Sequence, residues 1–310
     1  MPLRRKKFCV KNGMNVRSEL KRMMMKQNVL ITGTSTGVGF ESSILFARNN
    51  YKVYATMRNL KKSAALKAKI EEENLDIELL PLDVTSVESI QSAVDGIIKK
   101  DGKIDVLINN AGAGFAKTTE QSTEEEIRWV TEVNYHGVVF CTQAVLPFMR
   151  KQKSGRIISV TSVGGLVGQP FNELYCGAKF AVEGFMEGLA SYVSDAFNIK
   201  ITCVEPGGIA TAFMASAIGK TAVDGQFASG EYLPIFERYM AGNQRRANES
   251  KEQVYQTGTE VAEVVLLVAN NENPPLRMRT SKWAEDFCKL KTKADPDGTK
   301  LVRQIKESFL

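Results

Sequence analysis

Short apolar, β-branched runs alternate with long amphipathic stretches along most of this sequence, and that rhythm admits few folds. The runs are Asn28–Thr32, Lys52–Thr56, Ile77–Leu82, Ile104–Ile108, Gly155–Thr161, Lys200–Val204 and Leu276–Arg279. Helical stretches lie between them, near 38–49, 60–74, 86–100, 124–151, 174–196 and 257–271. Caps fall where helices should begin: Ser86 with Ser89 a turn later, and Thr123 before Glu124, Glu125 and Glu126. Apolar strands alternating with helices argue a parallel sheet covered on both faces. Right-handed crossovers then give an α/β, doubly wound, Rossmann-type sheet that binds ligands at the carboxyl edge of its strands.

No repeat and no Pro- or Ser-rich linker divides the 310 residues, so 28–310 reads as a single domain. Residues 1–27 stand apart, with nine basic side chains against Glu19 alone. They read as a basic, disordered tail, with an upstream start before Met23, Met24 or Met25, or an anion-binding or targeting role, as alternatives. The formal charge of +6 belongs to that tail, since it carries +8 and the body −2. A near-neutral body offers no nucleic-acid surface. The segment 211–256 breaks the rhythm and mixes Phe213, Met214, Phe227, Tyr232, Phe236, Tyr239 and Met240 with polar residues. It reads either as a substrate loop or lid at the carboxyl edge, or as helix packed on the body.

Other function classes drop out early. No apolar run approaches the length of a transmembrane span, and no secretory signal opens the chain. The five cysteines are scattered and odd in number, which points to reduced thiols and a cytoplasmic location. With His136 as the only histidine and no Cys-x-x-Cys pair, no metal site is expected. A Ser-His-Asp hydrolase would depend on His136, which lies in a helical stretch without a nucleophile elbow.

The first strand runs straight into Thr32-Gly33-Thr34-Ser35-Thr36-Gly37-Val38-Gly39 and then a helix. Exposed backbone N–H groups at a helix N-terminus suit a pyrophosphate, and glycines let the main chain approach it. An acid at the end of the second strand would favour NAD, but Thr56-Met57-Arg58 stands there. Arg58, helped by Ser35 and Thr36, suits a 2′-phosphate, so the expected cofactor is NADP, with NAD the alternative.

Tyr175 and Lys179 are four residues apart in a helical stretch and share a face. A nearby ammonium should lower the phenol's pKa toward working pH, making it an acid for reduction and a base for oxidation. Ser162 follows the fifth strand and could hold a substrate oxygen; its bland role is a turn before Gly164 and Gly165.

Together these motifs resemble the short-chain dehydrogenase/reductase family: the glycine turn, Asp83, Asn109-Asn110-Ala111-Gly112, Asn134, Ser162, Tyr175-xxx-Lys179 and Pro206-Gly207-xxx-Thr211, in family order. The resemblance implies a catalytic set of Tyr175, Lys179, Ser162 and Asn134. Asn134 would shape its helix and support a water relay to Lys179. It places the cofactor on Gly33, Ser35, Thr36, Gly37, Val38, Gly39 and Arg58, with Asp83 and Val84 at the adenine. Asn110, Ala111 and Gly112 would line the adenine-ribose side. Lys179 and Tyr175 would meet the nicotinamide ribose, and Pro206, Gly207, Ile209 and Thr211 the carboxamide end.

Val53–Arg58, Gly164–Asn172 and Asp295–Gly298 add similarity to the hydroxysteroid and retinol dehydrogenase branch. That implies NADPH-linked reduction of a ketone or aldehyde on a hydrophobic molecule, with a homodimer as a further expectation. Two departures bear on substrate. No histidine follows His136 to meet the far oxygen of a steroid, and Gln169 is polar where the hydroxysteroid enzyme presents an apolar side chain. An NADPH-binding redox sensor is the competing reading, because fold alone does not fix function.

Overall fold

The computed structural model describes residues 26–209, 229–250, 252–300, 303 and 307. Its main sheet joins β1 (Gln27–Thr32), β2 (Tyr51–Met57), β3 (Ile77–Pro81), β4 (Val106–Asn109), β5 (Gly155–Val160), β6 (Ile199–Glu205) and β9 (Arg277–Arg279). Their order is β3-β2-β1-β4-β5-β6-β9, with every neighbouring pair parallel. The order reverses between β1 and β4, which opens a crevice at the carboxyl edge there.

Strand alternation builds two cores. Leu30, Tyr54, Leu107, Ile157 and Ile201 face one side, where α3 (Val87–Asp101), α5 (Gly137–Gln152) and α6 (Glu173–Phe197) cover them. Val29, Ile31, Val53, Ile108 and Val204 face the other, under α1 (Gly37–Arg48), α2 (Ala64–Glu73) and α8 (Gly258–Asn270). Burial on both faces explains why the strands read as unbroken apolar runs. Both expected caps form: Ser86 accepts from the Ser89 N–H, and Thr123 makes a reciprocal box with Glu126 at α4 (Glu124–Thr131).

Several expectations need correction. The stretch 124–151 is not uniform α-helix, because Glu132–His136 forms a π turn whose wider hydrogen bond runs from Gly137 N–H to Glu132 C=O. The stretch 60–74 divides into a 3₁₀ turn, Leu60–Lys62, and α2, with Asn59 capping the turn. Within 211–256, residues 211–228 and 251 lie outside the described residues, Thr211 among them. The described part is largely helical: α7 (Leu233–Glu249), then β8 (Tyr255–Gln256), which pairs in parallel with β7 (Gly208–Ile209). A further helix, α9 (Lys282–Thr292), follows β9. Of the tail read as 1–27, residues 1–25 also lie outside the described residues, while Gln27 opens β1.

Among the described residues no helix is long and apolar enough to cross a membrane. None of their acids, cysteines or histidines gather in a group that would hold a metal.

Candidate active site

Each predicted segment ends at the same edge of the sheet. The glycine turn follows β1, Arg58 follows β2, Asp83 and Val84 follow β3, and Asn110–Gly112 follow β4. Ser162 follows β5 and Pro206–Ile209 follow β6. Only Thr211 cannot be placed, since it lies outside the described residues.

The turn after β1 is built so that nothing fills it. Gly33 has φ +72°, and a Cβ there would lie 2.7 Å from the Ala111 Cα. A Cβ on Gly39 would lie 2.4 Å from both the Gly33 oxygen and Asn110 Nδ2. Asn110 holds this geometry, because its Nδ2 donates to Thr32 O at 2.8 Å and Gly33 O at 3.0 Å. Thr32 Oγ1 accepts from the backbone N–H groups of Asn110 and Ala111, both at 3.0 Å. The carboxamide of Asn110 is thus turned into the protein, locking β1 to β4. Thr36 caps α1 with extended backbone and no side-chain hydrogen bond, and no acid sits in the first turn. The first N–H groups therefore face the crevice without a side-chain cap. Bare glycines and an uncapped helix start fit a pyrophosphate.

This tightness has a stability consequence. Gly39→Ala is expected to lower unfolding free energy by about 1–3 kcal/mol through overpacking. Gly96→Ala, in α3 with open space around it, should leave it unchanged or raise it by up to about 1 kcal/mol. Thermal unfolding of both variants checks the pair.

Arg58 is exposed and makes no ion pair with any described residue. Asp83 spends part of its carboxylate locally, accepting from Thr85 N at 3.0 Å and Thr85 Oγ1 at 2.8 Å. Val84 is buried under Gly137, where a Cβ would approach it to 2.9 Å.

The proton-handling residues do meet. Tyr175 and Lys179 lie on one face of α6, with Lys179 Nζ 5.7 Å from the phenol ring centroid. Lys179 is buried and donates to Val160 O at 3.1 Å, while Tyr175 is half-buried. Burial pushes the lysine down to about 8, against the pull of Glu183 and Cys203. The phenol does not behave as expected. Burial raises its pKa, and the group that lowers it is the hydrogen-bonded Ser162 hydroxyl, not the ammonium. The amine donates to the Val160 carbonyl, and desolvation is the largest influence on the phenol. Ser162 fills the turn role, since its Oγ also accepts from the Gly164 N–H at 3.0 Å.

Asn134 is fully buried in the π turn. Its Oδ1 accepts from Ala113 N at 3.1 Å, and its Nδ2 donates to Ala113 O and Val130 O, both at 2.9 Å. A Cβ on Gly112 would lie 3.1 Å from Asn134 Oδ1 and 3.6 Å from Lys179 Nζ. Gly112 therefore sits on the Lys179 side, while Asn110 sits at the glycine turn.

Sequence reading missed the aromatic wall ahead of Tyr175. Phe171, held at φ +61°, meets Phe236 at 5.1 Å and Tyr239 at 5.4 Å between centroids, which docks α7 there. Phe236 and Tyr239 stand out in the sequence, but nothing in their spacing names Phe171 as partner.

An open carboxyl-edge crevice, a glycine-lined helix start and a Tyr-Lys-Ser group define a dinucleotide-linked oxidoreductase. The model of the short chain dehydrogenase family matches residues 27–222. Retinol dehydrogenase 8 of Bos taurus is 36% identical over 284 residues, spanning 89% of this chain and 88% of that protein. Human 17-beta-hydroxysteroid dehydrogenase type 1 is 33% identical over 285 residues, 90% of this chain and 84% of its own. Among solved structures, ElxO with NADP bound superposes with a TM-score of 0.68 at 28% identity, covering 83% of this chain and 97% of ElxO. The chain belongs to the short-chain dehydrogenase/reductase family, and it is an NAD(P)-dependent oxidoreductase of the alcohol-dehydrogenase type.

Proposed function

We propose that this protein interconverts an alcohol with a ketone or aldehyde on a hydrophobic molecule of steroid or retinoid kind, using NADP(H) in the cytoplasm. The observation that carries the reading is the half-buried Tyr175 phenol, hydrogen-bonded to Ser162 and flanked by Lys179, at the sheet edge where the glycine turn opens. Bound there, the nicotinamide would supply or accept the hydride. Gly33, Ser35, Thr36, Gly37, Val38 and Gly39 would hold the pyrophosphate, Asp83 and Val84 the adenine, and Pro206, Gly207 and Ile209 the far end. Tyr175 would pass its proton to the substrate oxygen during reduction, while Ser162 donates a hydrogen bond to that oxygen. Asn134 would keep 112–113 in place beside Lys179. Phe171, Phe236 and Tyr239 supply an apolar wall that suits a hydrophobic substrate and excludes water. The names of the retinol and hydroxysteroid relatives support the same substrate class.

The test is NADPH consumption with steroid, retinoid and simple aliphatic or aromatic carbonyl panels. Turnover with a hydrophobic member is expected; binding of NADPH without turnover of any member would favour the redox-sensor reading. The exposed Arg58, which has no ion pair among the described residues, supports the choice of NADP. Arg58→Leu should reduce the NADPH-over-NADH preference in kcat/KM by about tenfold to a hundredfold, the value of one charge-assisted contact. An unchanged ratio would remove Arg58 from the 2′-phosphate site.

A further inference from the structure

A buried charge cluster lies directly behind the Tyr-Lys pair. Glu183 follows Lys179 by one helical turn on α6, and Glu205 ends β6; both are buried. Thr161, the residue before Ser162, has its Oγ1 2.6 Å from Glu183 Oε1. The Ser162 turn also rests on Glu183, for a Cβ on Gly165 would lie 3.0 Å from its Cγ. On β9, Arg277 pairs with Glu187, while Arg279 reaches Glu205 Oε2 at 3.1 Å and Glu285 Oε2 at 2.6 Å.

Three atoms at the centre remain without a hydrogen bond: Glu183 Oε2, Glu205 Oε1 and Arg277 Nε. They face a common point, with Arg277 Nε 3.6 Å from the first and 4.0 Å from the second. The two carboxyl groups are within hydrogen-bonding reach of each other. Like charges so placed in a dry interior cannot both persist. Counting charges gives the same answer. Glu183, Glu187, Glu205 and Glu285 outnumber Arg277, Arg279 and Lys179 by one, and a single proton balances the set.

We propose that Glu183 and Glu205 hold one proton between them, and that the single negative charge left on the pair is the counter-ion that keeps Lys179 cationic beside Tyr175. The second half rests on the assignment of Lys179 to Tyr175 made above. Burial raises both carboxyls. The other titratable groups facing them are the thiols of Cys203 on β6 and Cys288 on α9, and burial raises both, so they stay neutral. Glu183 and Glu205 act here as positioning residues.

The pair makes an unusual prediction. Glu183→Gln or Glu205→Gln removes one carboxyl together with the shared proton, so the net charge behind Lys179 is unchanged. Each single variant should keep the alkaline limb of kcat/KM for carbonyl reduction within about 0.3 pH unit of the parent. The double variant removes the charge and should move that limb down by about one unit, a tenfold weaker hold on the lysine proton. Infrared spectra of the parent protein at neutral pH should show the carbonyl stretch of a buried protonated carboxyl, lost in both single variants. Absence of that band overturns the shared proton, whatever the variants do. Single variants that each shift the limb by about half the double's shift would show two separate carboxylates and also overturn it. If no carbonyl is turned over, the enzyme reading fails while the infrared band still decides the pair.

Discussion

Tyr175→Phe is expected to lower kcat by about a hundredfold to ten-thousandfold while leaving NADPH affinity within a few-fold. Phenylalanine keeps the ring packed on α6 and removes only the oxygen that meets Ser162. Single-turnover and binding measurements separate the two effects; turnover surviving at a tenth of the parent rate would sink the assignment of the proton to this phenol. Burial raises the phenol's pKa, so the group carries its proton at neutral pH and can donate it in reduction. Lys179, pushed down to about 8, is cationic below that pH and loses its charge above it. Reduction should therefore fall as pH rises through about 8, and Lys179→Met should lower the rate and flatten that limb. A limb that persists in Lys179→Met belongs to some other group.

The sheet was legible because β-branched runs buried on both faces have few alternatives. Leu30 and Ile31 sit in adjacent positions yet enter different cores, so no polar alternation interrupts the run. The edge that carries the chemistry followed from topology, and so did the meeting of Ser162, Tyr175 and Lys179. What sequence could not supply was the balance of fields. Four-residue spacing puts Lys179 and Tyr175 on one face, but it does not say that the amine donates to Val160 O while burial dominates the phenol. The helix α9 was missed although its signal was present: Ser281 caps it, accepting from Ala284 N, and Trp283, Ala284, Phe287 and Cys288 form its inner stripe. Its brevity, among the lysines of that stretch, hid the period. The charge cluster was invisible for another reason. Glu183, Glu205, Arg277 and Arg279 lie on three elements, and each taken alone reads as a solvated side chain.

Asn134→Ala should cost about 2–5 kcal/mol of stability and lower kcat in the protein that still folds. The stability figure follows from the three main-chain groups that the side chain satisfies, the buried Val130 O and the part-buried Ala113 N and Ala113 O. Each loses its partner at about 1–3 kcal/mol, partly offset by relaxation of the chain. The π turn makes this possible, since its wider ring redirects Asn134 from the helix surface toward the 112–113 strand exit. Aspartate has the same outline but would turn a carboxylate oxygen toward two carbonyls, so Asn134→Asp should fare no better. Activity follows because Gly112 lies against both Asn134 and Lys179, so any movement of 112–113 changes what stands beside the lysine. Thermal unfolding and kcat, measured well below each variant's Tm, distinguish two roles. Parallel losses mark Asn134 as the clamp of that loop, whereas a fall in kcat with Tm intact would mean that its amide acts on the proton path itself.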